Sequence, residues 1–213
     1  FDKTNFTVFM LTLRIGKQGI PIYFEVFNDS NNGYHGDAFK MLNIKKGILY
    51  CHNLIKNFFP SANIIFLADR WFGNIFPLMK YINSLGDTFV FRCKQNLKVF
   101  YQKYPEKHKI WLPIIKLPHL VHASKLYTDL EFTRNKYVYN LAYCKSKDHK
   151  EAWLLITNGD PKLAKARYGY RFGSIEFVFK SQKTNGFYLE ESSIKSLHAF
   201  RNLYSMLCII QLY

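Results

Sequence analysis

The sequence predicts an α/β fold, a mixed sheet flanked by helices and interrupted by a mostly β insertion. Three observations predict it. Strand-like apolar runs cover residues 6–15, 20–27, 63–68 and 88–93, and from the second run onward they alternate with segments of helical spacing. Residues 94 to about 165 abandon that alternation for a string of short β-type runs. Acids are outnumbered 15 to 30 by Lys and Arg, yet Asp69 closes the apolar run Ile64-Ile65-Phe66-Leu67-Ala68. An acid at a strand end in so basic a chain is a candidate to hold metal against nucleic acid.

Residues 6–15, rich in Phe, Val, Thr and Leu, read as a strand, Gly16 to Gly19 as a turn, and 20–27 as the returning strand. Pro21 has no N–H for a ladder and suits an edge or first position. Polar residues make 28–36 a loop, with Asp37 as N-cap. Phe39, Leu42, Leu49, Leu54, Ile55 and Phe58 then repeat at helical spacing over 38–59, with Gly47 inside and Pro60 as the stop. The continuous run 63–68 suits a strand buried on both faces. A helix over 75–85 ends at Gly86, and 88–93 is the next strand. Asp2 reads as the end of a first strand whose beginning is absent, so the chain is expected to be a fragment. The order is then β-β-β-α-β-α-β, with acids at the ends of the first and fourth strands. That is a ribonuclease H-like arrangement, and groups at strand ends are where α/β sheets carry their chemistry.

In the insertion, 94–109 carries five lysines against Glu106, and 111–115, 130–133, 137–143 and 152–157 read as strands. Asn158-Gly159-Asp160-Pro161 is the exit turn. A helix resumes from 163 to 183, Gly186 breaks it, and a last apolar helix covers 194–212. The expected organisation is 1–97 as the first part of a catalytic core, 98–165 as the insertion, and 166–213 as closing helices.

A net charge of +15 favours polyphosphate partners, whose condensed counterions are released on binding. Cys51, Cys93, Cys144 and Cys208 form no CxxC pair, which argues against zinc and for reduced thiols in a cytoplasmic protein. The seven histidines show no ligand spacing. No signal peptide and no apolar run long enough to span a bilayer is present, so no membrane partner is expected.

Five segments in order resemble the DDE transposases of bacterial insertion sequences, in the branch marked by a Tyr-Arg-Glu-Lys signature. Phe1-Asp2-Lys3-Thr4-Asn5 is similar to the first-acid motif, and Leu67-Ala68-Asp69-Arg70-Trp71-Phe72 to the second. Phe89-Val90-Phe91-Arg92 resembles the strand that follows, and Trp153-Leu154-Leu155-Ile156-Thr157 the strand leaving the insertion. Tyr168, Arg171, Glu176 and Lys183 resemble the signature itself, with six residues between Glu176 and Lys183. Four residues separate Arg171 from Glu176 where the common pattern has three, which on a helix turns Arg171 by about 100°.

The resemblance implies that Asp2, Asp69 and Glu176 are catalytic and bind two Mg²⁺ or Mn²⁺ ions, with Asp2 bridging them. Hard oxygen ligands suit such ions, and a pair of them suits in-line displacement at phosphorus. It also implies DNA contacts by Arg70, Trp153, Tyr168, Arg171 and Lys183, with Trp153 stacking on a flipped base. The partners are then transposon-end and target DNA, the DNA complex a homodimer, the location nucleoid-associated bacterial cytoplasm, and the route a hairpin at the transposon end. Each residue has a plainer reading. Asp69 with Arg70 can be a strand-end ion pair, Glu176 can pair with Lys180, Lys183 can be a solvent lysine, and Tyr168 and Trp153 can be packing aromatics. For the whole chain, a ribonuclease H-like nuclease outside transposition and a non-catalytic DNA-binding remnant stay open.

Overall fold

The computed structural model describes residues 6–28, 37–102, 109–117, 125–133, 137–145, 151–183, 189 and 192–211. The α/β class is observed, with a mixed sheet and flanking helices. The chain forms two compact units, Phe1–Ala62 with Tyr170–Tyr213, and Asn63–Gly169. Among the described residues no helix is long and apolar enough to cross a membrane.

The first unit opens with an antiparallel hairpin of β1 (Phe6–Ile15) and β2 (Gln18–Asn28), paired from Phe6 opposite Asn28 to Ile15 opposite Gln18 with a register shift between Leu11 and Thr12. Its two-residue turn needs positive φ, and Gly16 supplies it at +60°. Helix α1 (Asp37–Phe58) packs on the hairpin through Ile44, Ile48 and Cys51, which share one face. Gly47 permits the close approach, because a Cβ there would stand 2.5 Å from the Tyr23 ring. Helices α4 (Ile175–Lys183) and α5 (Leu197–Ile210) complete the unit. Met10, Val26, Val178, Phe200, Tyr204 and Cys208 form its core. The buried Tyr204 hydroxyl donates to Gln182 Oε1 at 2.7 Å, and the Gln211 amide donates to Ser181 Oγ at 2.6 Å, so the polar groups between α4 and α5 are satisfied.

The second unit is a seven-stranded sheet. Its strands are β3 (Ile65–Ala68), β4 (Thr88–Arg92), β5 (Lys98–Gln102), β6 (Lys109–Pro113), β7 (Lys125–Phe132), β8 (Tyr137–Cys144) and β9 (Trp153–Thr157), in the spatial order β3-β4-β9-β8-β7-β5-β6. Only the β3–β4 pair is parallel; the other pairs are antiparallel. Helix α2 (Phe76–Ser84) follows β3, and α3 (Pro161–Gly169) follows β9. Leu78, Met79, Ile82, Phe89, Leu141 and Ile156 are among its fully buried side chains. Asn158 ties three elements together. Its Oδ1 accepts from Phe89 N–H at 2.9 Å, while its amide donates to the Asp87 carbonyl and to Asn83 Oδ1, each at 2.8 Å.

Several expectations are corrected. The run around β3 is half-buried along its length, because β3 is the end strand of the sheet order and not a central one. The lysine-rich stretch contains a strand, β5, whose alternation hides among charges while Val99 is fully buried. The helix expected over 163–183 is two helices, broken by a turn over 170–174 in which Gly173 takes φ +81°. The last helix starts at Leu197, where the Ser196 hydroxyl caps the Ala199 N–H. The strands of the insertion join the same sheet as β4, since β8 hydrogen-bonds to β9, which lies beside β4, a placement that the sequence left unspecified. All four cysteines are buried and free.

Replacing Asn158 with Ala strands the Phe89 N–H and the Asp87 carbonyl, and we expect a loss of about 2–3 kcal/mol in urea unfolding. Burial pushes the Cys93 thiol up to about 12 from 9.0. The unfolded chain therefore gives up that proton first. The stability tied to this thiol is full below pH 9 and falls as pH rises towards 12, and Cys93→Ala is expected to flatten that fall in urea midpoints measured across the window.

Candidate active site

The residues singled out by the sequence fall on both units. In the second unit, Ala68 lies beside Phe91 in the parallel pair, and Arg92 lies beside Leu155 in the antiparallel one. The ends of β3 and β4 and the start of β9 therefore meet at one end of the sheet. Asp69 is the first residue past β3 and is exposed. Its Oδ1 accepts from the Trp71 N–H at 3.1 Å, and its carbonyl accepts from the Gly73 N–H at 3.3 Å. These bonds fold the chain into a 3-10 turn over Phe72–Asn74. The turn lies directly on the end of β4, since a Cβ on Gly73 would stand 1.9 Å from the Arg92 carbonyl oxygen. Phe72 faces Phe91, with ring centroids 6.3 Å apart, whereas Trp71 is 53% exposed.

Arg70 and Arg92 converge on one carboxylate. Arg70 Nη2 donates to Glu151 Oε2, and Arg92 Nη2 donates to that same oxygen at 3.1 Å. Glu151 stands just before β9, and Trp153 opens that strand, half-buried. The Trp153 ring meets Tyr168 nearly edge-on, at 5.3 Å and 70°. Tyr168 is only 1% exposed, in a core with Val90, Leu155 and Ala164. Packing is thus its role in this arrangement, and the DNA contact expected of it lacks a surface.

In the first unit the turn over 170–174 seats on the hairpin tip. A Cβ on Gly19 would come within 3.0 Å of the Ser174 backbone. The Arg14 guanidinium lies 4.6 Å from the Tyr170 ring centre and donates to the Tyr170 carbonyl. Ser174, itself buried, donates to the carbonyls of Tyr170 and Arg171, each at 3.1 Å. This turn delivers Arg171 to Glu176, whose exposed carboxylate accepts from Arg171 Nη1 at 3.2 Å. The extra residue between the two is absorbed in the non-helical turn, so the rotation expected of a continuous helix does not arise. Lys183 ends α4. The Lys183 side chain and all of Asp2 lie outside the described residues.

Among the described residues no three His, Cys, Asp or Glu side chains gather as a ligand set. Asp69 and Glu176 nonetheless offer the donor chemistry that Mg²⁺ or Mn²⁺ takes, exposed carboxylate oxygens able to share an ion with water and phosphate. Sequence reasoning passed over Arg92 and Glu151. The signal for Arg92 was an arginine closing the apolar run Phe89-Val90-Phe91; Glu151 had none, because its meaning depends on β9 lying beside β4. No family model matches the chain, and no curated protein matches it.

Replacing Gly73 with Ala drives a methyl into backbone that cannot retreat. We expect a cost of about 1–3 kcal/mol in chemical denaturation and a shift of the Trp71 fluorescence, reporting displacement of the turn that carries Asp69.

Proposed function

We propose that this chain is the catalytic core of a DDE-type DNA transposase, with a ribonuclease H-like core and a β insertion, acting on insertion-sequence ends. The observation that carries the reading is Asp69, exposed at the end of a parallel strand and flanked by two arginines suited to phosphate. The five ordered motifs of the sequence, Glu176 at the head of α4 and the charge of +15 support it.

In this reading Asp69 and Glu176, with Asp2, hold two Mg²⁺ or Mn²⁺ ions. Such ions supply activation of a nucleophile and stabilisation of the leaving oxygen at phosphorus. The chain's own residues do the rest. Arg70 and Arg92 neutralise and orient a backbone phosphate, as guanidinium forks do. Arg171 gives up Glu176 as the site loads, which frees its guanidinium for DNA. Trp153, at the same sheet end as Asp69, offers an aromatic face to an unpaired base. Lys183 contacts a phosphate, the DNA complex is a homodimer, and the setting is the bacterial cytoplasm.

The Arg171–Glu176 pair favours a second reading, a non-catalytic DNA-binding remnant, because a carboxylate held by arginine is partly neutralised. One assay separates the two. With transposon-end DNA and Mg²⁺ or Mn²⁺, we expect nicking and strand transfer that stop with chelator and fall about a thousandfold or more in Asp69→Ala and Glu176→Gln, with DNA binding kept. Salt-sensitive binding by the unaltered chain without metal-dependent cleavage would decide for the remnant.

A further inference from the structure

Glu151 holds two arginines by a single oxygen. Arg70 is the residue after Asp69, Arg92 closes the neighbouring strand, and Glu151 leads into the strand beyond. The backbone beneath them is fixed, since Gly73 lies against the Arg92 carbonyl and Arg92 pairs with Leu155 across the sheet. Both arginines therefore reach the same point because of where their main chains are held. The carboxylate between them is 52% exposed, against 43% for the Arg70 side chain and 20% for Arg92.

An ion pair that exposed contributes little to stability, on the order of 0–1 kcal/mol, so folding alone is a weak reason for it. Its effect on charge is larger. It cancels one positive charge of the pair and keeps both forks aimed at one spot beside Asp69. A phosphodiester has two non-bridging oxygens and a full negative charge, and two guanidinium forks bind it better than one carboxylate oxygen can.

We propose that Arg70 and Arg92 form a clamp for one nucleic-acid backbone phosphate next to Asp69, and that Glu151 occupies the clamp as a displaceable stand-in. This rests on the nucleic-acid part of the proposed function and adds to it a second arginine and a gating carboxylate. Binding swaps Glu151 for phosphate, so the free protein keeps its forks aligned and resists unselective anions.

The test measures affinity for a fluorescent transposon-end duplex across a salt series, in chelator so that no chemistry intervenes. Glu151→Gln is expected to tighten binding about threefold to tenfold. Arg92→Gln is expected to weaken it and to lower the slope of log affinity against log salt by about one contact. When Arg70→Gln and Arg92→Gln are both added, the Glu151→Gln gain should vanish, because no fork then remains to be freed. Glu131→Gln, the same charge change on β7, controls for a general rise in positive charge and should give no comparable gain. Equal tightening by Glu131→Gln and Glu151→Gln, or a gain that survives loss of both arginines, would overturn the clamp while DNA binding stands. Absence of DNA binding by every variant would overturn clamp and DNA reading together. Absent nicking in the metal assay, with the Glu151→Gln gain intact, would remove the transposase reading and leave the clamp.

Discussion

The close approach of Gly73 to the Arg92 carbonyl is the constraint on which the proposed chemistry depends. A 3-10 turn can rest on the end of a strand only where one residue has no side chain, and the hypothetical Cβ at 1.9 Å leaves no room for any other. With the turn seated, Phe72 must pack inward against Phe91, and Trp71 must point out. Asp69 is pinned from both its groups, the carboxylate by Trp71 N–H and the carbonyl by Gly73 N–H. Arg70 and Arg92 are then neighbours in space, although 21 residues lie between them in the chain. The sheet supplies the direction and the glycine supplies the distance.

The first unit meets the same problem by different means. Its turn over 170–174 lies on the tip of the β1–β2 hairpin, through Gly19, the Arg14 guanidinium and the Ser174 hydroxyl. Gly173, at positive φ, lies in the turn that precedes α4, which starts afresh at Ile175. Glu176 thus lies in the first turn of a new helix, where the helix dipole favours a negative charge. Had the helix been continuous, the same carboxylate would sit mid-helix without that support.

Local pattern made the hairpin, α1, α2, β4 and the exit turn legible, because each is written in neighbouring residues: Gly16 for the turn, Pro60 and Gly86 for the stops, Phe89 to Phe91 for a buried strand. What failed to show depends on residues far apart. β3 reads as a two-face-buried strand, yet its place at the end of the sheet order leaves it half-buried, and order is not local. β5 was masked because Lys98 and its lysine neighbours outweighed the alternation around Val99. The break after Gly169 has little local sign, because Tyr170, Arg171 and Phe172 suit a helix and only Gly173 suggests a turn. For the site, Asp69 and Arg70 were visible as a strand end. Tyr168 is buried with its ring edge-on to Trp153, a contact that its neighbours in the sequence do not announce. Glu151 was invisible because its partners come from two other strand ends.

A chain with 30 basic residues and only 15 acids has few carboxylates to spend on surface ion pairs, so their placement is informative. Two of them, Glu151 and Glu176, hold arginines that sequence and geometry associate with phosphate. Exposed pairs of this kind hold with roughly 0–1 kcal/mol each, which is enough to orient a guanidinium and too little to keep it from a polyanion. For each backbone phosphate neutralised, affinity falls as about the inverse 0.9 power of salt concentration, and a protein of this charge can make several such contacts. On the proposed nucleic-acid reading, a polyanion would win the arginines from the carboxylates at low ionic strength; as salt rises, screening weakens both, but a many-contact complex falls faster than a single internal pair. In that reading, the balance between internal acid and external phosphate would make the basic surface conditional, open to a dense run of phosphates and partly closed to isolated anions.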